Sequence, residues 1–135
     1  MTTTPPIAAE KYMSLTTYRK SGTEVSTPVW VVALEDGRVG FWTAMGTGKT
    51  KRIGNDPRVR VRPSDARGRV ADGAASYTGT ATLVQSGRDF AEVQGKVREK
   101  YGFMTTVTGL LAKLGPQGRK GMTYADTVVL ISLDV

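Results

Sequence analysis

Apolar and polar positions alternate with a period of two over much of this chain, and four stretches carry helical signals instead. Leu15 to Arg19 mixes β-branched and aromatic residues in strand fashion and is followed by a Ser21-Gly22 turn. Val25 to Leu34 is apolar on both faces after Pro28, as in a strand covered on both sides. Pro28 cannot donate to a ladder, which predicts a bulge or a sheet edge there. Glu35-Asp36-Gly37 predicts a tight turn into a strand over Val39 to Ala44, because Asp-Gly accepts positive φ. Arg58 to Arg62 alternates strictly, with three arginines on one face and Val59 and Val61 on the other. Ala75 to Val84, rich in threonine, and Thr127 to Val135 complete the strands.

The helical signals lie at the start, in the middle and before the last strand. Ile7 to Tyr12 reads as a first helix started by Pro6, after a loose arm over Met1 to Pro6. Gly46 to Asn55 reads as a glycine-bearing loop running into a basic helix that Pro57 stops. Phe90, Val93, Val97 and Tyr101 form one stripe of a helix over Asp89 to Tyr101. A second helix is predicted over Phe103 to Leu114, ended by Gly115 and Pro116. Six strands in hairpin order, with a helical excursion before the last, predict a mainly β domain. The expected architecture is a small antiparallel barrel with a few flanking helices, spanning residues 1–135 as one unit.

Composition narrows the chemistry. The 135 residues contain neither Cys nor His. Thiol nucleophiles, Ser-His triads, imidazole bases, and zinc or haem sites built on those ligands are excluded, so a cofactor must bring most of the reactivity. No apolar run approaches the roughly 20 residues of a membrane helix. With no signal peptide, the expected home is the cytoplasm. The net charge is +7, and it is concentrated. Between Lys49 and Arg69 eight bases face two acids, a net of +6, which leaves only +1 for the rest of the chain. Such a segment suits an anionic partner held in one place, and also suits a plain solvated basic face.

Thr47-Gly48-Lys49-Thr50-Lys51-Arg52 carries the most specific local chemistry. Glycine lets a ligand approach the backbone, a helix start aims free N–H groups outward, and lysine adds a full charge, which together make a phosphate cradle. Gly48-Lys49-Thr50 imitates the end of a P-loop, but that motif needs a further glycine where this chain has Thr43. Phe41, Trp42 and Thr43 end the preceding strand, where a ring joined to that phosphate would rest, or where aromatics fill a core. Arg58, Arg60 and Arg62 line either a wet strand face or a groove for a charged tail. Nucleic acid would need stacking aromatics among these bases, and the aromatics lie mostly elsewhere.

In order and spacing, Ser14-Leu15-Thr16-Thr17, Thr27-Pro28-Val29-Trp30, Phe41-Trp42-Thr43, Gly48-Lys49-Thr50-Lys51-Arg52 and Asn55-Asp56-Pro57-Arg58-Val59 resemble the pyridoxamine 5'-phosphate oxidase-like split-barrel proteins. They resemble most the actinobacterial flavin/deazaflavin branch that uses coenzyme F420. The resemblance implies a six-stranded, FMN-binding type of split barrel. It further implies a homodimer with cofactors at the subunit interface and hydride transfer to or from a small organic acceptor. Lys49 and Thr50, with Gly48 and Arg52 nearby, would hold the cofactor phosphate, and Trp42 and Thr43 would lie along its chain and ring. Thr27, Pro28 and Val29 would support the ring, and Trp30 would cover substrate or pack inward. Arg58 and Arg60 would meet the polyglutamyl tail. FMN oxidases of this fold carry basic phosphate ligands on the strand that here reads Thr27 to Val32, so FMN is the alternative rather than the first cofactor. No catalytic side chain is singled out; solvent or Tyr77 would serve the proton. A non-catalytic flavin, deazaflavin or tetrapyrrole binder remains the alternative function.

Overall fold

A computed structural model describes residues 4–112 and 126–134, with side chains outside 102–112. Its strands are β1 (Tyr12–Tyr18), β2 (Glu24–Val29), β3 (Val32–Ala33), β4 (Val39–Thr43), β5 (Arg58–Ser64), β6 (Tyr77–Val84) and β7 (Thr127–Leu133). Helix α1 (Gly48–Asn55) lies between β4 and β5, and α2 (Arg88–Ala112) between β6 and β7. All strand pairs are antiparallel, in the order β2-β1-β5-β6-β7-β4-β3. The two edge strands, β2 and β3, are separated in the chain only by Trp30 and Val31, so the sheet curls back on itself. This is the mainly β split barrel expected, with seven strands rather than six.

The extra strand has a cause in the tertiary structure. Val31 donates its N–H to the Tyr101 hydroxyl at 3.1 Å, and its carbonyl accepts from Lys100 Nζ at 2.6 Å. Those bonds take Val31 out of the ladder and divide the expected Val25 to Leu34 strand in two. Lys100 also takes the carbonyls of Ala8 and Glu10, at 2.8 and 2.6 Å. The expected helix over Ile7 to Tyr12 is accordingly a single 3-10 turn, Pro6–Ala9, and β1 begins already at Tyr12. The two helices expected around Tyr101 form one element broken at that residue (φ −116°, ψ 22°). The end expected at Gly115 and Pro116 lies outside the described residues.

Two cores follow from the strand alternation. Met13, Leu15, Phe41, Val59, Val61 and Ile131 fill the barrel. On its outside, Val32, Leu34, Val128 and Leu130 meet Val93, Val97 and Tyr101 of α2, the stripe expected from the sequence. β7 is therefore buried on both faces. The outer face of β1 and β5 instead carries Ser14, Thr16 and the three arginines, and Pro28 does sit on an edge strand. Among the described residues no helix is long and apolar enough to cross a membrane.

β6 crosses β7 closely at Gly79, where an added Cβ would lie 2.6 Å from the Ser132 carbonyl oxygen. Backbone cannot yield as a side chain can, so Gly79→Ala is expected to destabilise the fold by about 1 to 3 kcal/mol. A urea midpoint unchanged from wild type would refute this close approach.

Candidate functional site

The expected cradle is built from local hydrogen bonds at the start of α1. Thr47 caps the helix, its hydroxyl oxygen accepting from Thr50 N–H at 3.5 Å. The Thr50 hydroxyl returns a bond to the Thr47 carbonyl at 2.9 Å, which turns that side chain inward and buries it. The preceding loop is held by Asp126, whose carboxylate accepts from Met45 N–H at 2.9 Å. The N–H groups of Gly48 and Lys49 remain without a partner among the described residues. Free amides at a helix start carry the positive end of its dipole and favour an anion.

The charges around this turn agree. Lys49 is half-buried; burial first, and the neighbouring Arg52 second, hold its ammonium below the usual lysine range. Arg52 donates from Nε to the Thr17 hydroxyl at 2.6 Å, which ties α1 to β1. Burial, and then the charge of Arg19, make its protonated form less favourable too. None of Arg19, Lys49 and Arg52 has a carboxylate in ion-pair range among the described residues. An arriving phosphate would relieve that repulsion.

Gly48 has a specific part in this arrangement. A Cβ at that position would lie 2.7 Å from Nη1 of Arg52, so the guanidinium rests over the glycine. Because a flexible side-chain tip can swing away, Gly48→Ala is expected to change stability by less than about 1 kcal/mol while displacing Arg52. Affinity for a phosphate-bearing ligand should fall by about 1 kcal/mol, measured by calorimetry beside a thermal melt. An unchanged affinity would mean that Arg52 does not act from this position.

The other expected site residues are distributed unevenly. Thr17, which holds Arg52, pairs with Val25 of β2, and Thr27 follows two residues later, roughly 7 Å along the strand. Thr27 and Val29 stand opposite the core residues Leu15 and Met13, so their side chains face the barrel interior and only their backbone and Pro28 serve the outside. Thr43 is buried opposite Thr127, at the strand end leading to the cradle. Trp42 packs against the core beneath α2, with the Arg98 guanidinium 5.8 Å from its ring centre. Trp30 packs inward, stacked on Tyr101 at 4.3 Å.

The arginine row is partly neutralised within the chain. Asp56 holds Arg58, and Glu24 grips Arg60 at 2.7 and 3.2 Å. Each carboxylate raises its arginine's pKa, the opposite of the shift at Arg52. Tyr77 lines a cavity of about 550 Å³ with Pro5, Pro6 and Arg38. Arg38 precedes β4 and α1 follows it, so that cavity lies away from the cradle, while Tyr77 itself stands opposite Val61, in the same cross-strand row as Leu15 and Thr27.

Sequence reading missed Arg19, Thr17, Glu24 and Asp126. Thr47 was legible as a cap, being a threonine before a helix start. The Thr17–Arg52 contact spans 35 positions and the Met45–Asp126 contact 81, and nothing local announces either.

The pyridoxamine 5'-phosphate oxidase family model matches residues 4–128. No curated protein matches the chain by sequence. Among solved structures, an F420 reductase aligns at 15% identity and a TM-score of 0.60, over 96% of this chain and 90% of that one. The conserved hypothetical protein Rv2991 from Mycobacterium tuberculosis aligns at 21% and 0.62, over 93% and 74%. HupZ from Group A Streptococcus aligns at 14% and 0.62, over 95% and 84%. At these identities the structures establish the shared fold, and the family model extends over nearly all of the same barrel. The chain belongs to the pyridoxamine 5'-phosphate oxidase family.

Proposed function

We propose that this protein is an F420-dependent oxidoreductase that works as a soluble homodimer and transfers a hydride between the deazaflavin and a small organic acceptor. The observation that carries the reading is the start of α1. There Lys49, Arg52 and two free amides converge with no carboxylate in ion-pair range among the described residues. These groups fit a phosphate by charge and by donor count. The family and the likeness to an F420 reductase support the choice of cofactor class. The absence of basic residues from Thr27 to Val32 supports deazaflavin over FMN.

The bound deazaflavin supplies the hydride chemistry. The chain's part is to bind and orient. Lys49, with the Gly48 and Lys49 amides, holds the phosphate, while Arg52, steadied by Thr17, closes over the same turn. The backbone of Thr27 to Val29 would support the ring and Thr43 the cofactor chain, while Thr50 and Thr47 keep the turn in shape. Trp42 supports β4 from beneath α2. Arg58 and Arg60 meet the tail only in exchange for Asp56 and Glu24, so they add less than their charge suggests. The proton would come from solvent or from Tyr77.

Titration of the purified protein with oxidised and reduced F420, followed by ring fluorescence and run beside FMN, tests the reading. Saturable binding of F420 in preference to FMN, with turnover of at least one acceptor by reduced F420, is the expected result. No F420 binding at tens of micromolar would overturn the reading, and binding without turnover across a broad acceptor panel would make the protein a carrier.

A further inference from the structure

The arginines of β5 are chemically unequal. Arg58 and Arg60 have Asp56 and Glu24, whereas Arg62 has no carboxylate in ion-pair range among the described residues. Its Nε is buried without a hydrogen-bond partner, although the side chain as a whole is only half-buried. Arg60 Nε is likewise unpartnered, but the rest of that guanidinium is satisfied by Glu24. Leaving a buried donor unmade is costly, and more so for a charged group.

The surroundings of Arg62 are set by the sheet and the turn that follows β5. The registers place Arg62 opposite Ser14, and Ser14 opposite Pro28, so the three share one row on the outer face. Ser14 is only 4% exposed. A rigid turn borders this row: the Asp65 carboxylate accepts from the N–H groups of Arg67 and Arg69 and from Arg69 Nε, at 2.9, 2.9 and 2.6 Å. That turn seats Gly68 on Pro28, where an added Cβ would be 3.2 Å from the proline Cδ. Ser64, on the Arg62 face of β5, lines a cavity of about 410 Å³ together with Asp65 and Arg69.

We propose that Arg62 is the anchor of a second anion site, separate from the α1 cradle, which takes a carboxylate group of the organic acceptor. One uncompensated guanidinium balances one negative charge, and its planar fork matches the two oxygens of a carboxylate. A phosphate dianion is disfavoured because Asp65, three residues along the chain, lines the neighbouring cavity. Pro28, in the same row as Arg62, belongs to the segment that would support the ring, which puts the carboxylate beside the reacting centre. Assigning the anion to the acceptor rests on the oxidoreductase reading; the site itself does not.

The test follows the arginine Nε–H signals of isotope-labelled full-length protein by nuclear magnetic resonance, with Arg62→Gln and Arg62→Lys for assignment and function. Benzoate, its neutral isostere benzamide, and inorganic phosphate are the probes. Benzoate should move the Arg62 signal saturably, and benzamide and phosphate should bind roughly tenfold more weakly or less. Benzoate affinity should drop roughly tenfold in Arg62→Gln and partly in Arg62→Lys, which keeps the charge without the fork. Equal movement of all arginine signals, undiminished binding in folded Arg62→Gln, or benzamide or phosphate binding as tightly as benzoate would each overturn the proposal. F420 fluorescence on the wild-type protein separates the two ideas: benzoate binding without F420 binding leaves the carboxylate site and removes the oxidoreductase reading, and the reverse pattern does the opposite.

Discussion

Lys49→Ala is expected to weaken cofactor binding by about 1 to 3 kcal/mol, the scale of a charge-assisted hydrogen bond, whereas Arg60→Ala costs less than about 1 kcal/mol. Among the described residues Lys49 has no carboxylate to leave before it meets a phosphate, and the amides of Gly48 and Lys49 at this helix start have no partner. Arg60 must first give up Glu24, and an open strand face is screened by salt. Doubling the ionic strength should therefore shrink the Arg60 effect further and leave most of the Lys49 effect. Burial and Arg52 already disfavour the protonated lysine in the free protein. Affinity should thus be flat near neutral pH and fall on the alkaline side earlier than an ordinary lysine would allow; the phosphate favours the charged form, so binding takes up a proton there. Calorimetry on both variants at two salt concentrations decides the matter. Equal losses, or a larger one for Arg60, would put the phosphate at the wrong end of the basic segment.

Tyr101→Ala should be the most damaging single truncation in the second core, at about 3 to 5 kcal/mol. The ring is 2% exposed, stacks on Trp30 at 4.3 Å, and sits where α2 breaks. Its hydroxyl accepts from Val31 N–H at 3.1 Å and donates to the Lys11 carbonyl at 2.6 Å, so one side chain joins α2, the start of β1 and the β2–β3 link. Tyr101→Phe keeps the stack but strands the Val31 donor, and is expected to cost about 1 to 3 kcal/mol. Urea denaturation gives both values, and the near-ultraviolet signal of Trp30 should change in the alanine variant and persist in the phenylalanine one. A phenylalanine variant as stable as wild type would show that the hydroxyl bonds contribute nothing. Because Trp30 directly follows β2, the same variants report whether this buried junction also holds that strand in position.

What could be read from the sequence was whatever repeats within a few residues. The stripe Phe90, Val93, Val97 and Tyr101, the alternation from Arg58 to Arg62, and the turn at Asp36-Gly37 each state their element locally, since one helix face or one strand face returns every three to four or every two positions. The start of α1 was legible for the same reason: threonine, glycine and lysine are consecutive before a helical stretch. Tertiary structure alone decided who meets whom. The strand order β2-β1-β5-β6-β7-β4-β3 brings Glu24 to Arg60, Thr17 to Arg52 and Lys100 to Val31, across 36, 35 and 69 positions. Those long-range partners shortened the first helix to one turn, split a strand at Val31 and neutralised Arg60, while Asp56, two residues away, holds Arg58 and Arg62 has no counter-charge among the described residues. Charge is written in the composition, but whether a charge is free depends on which acid the folded chain carries to it.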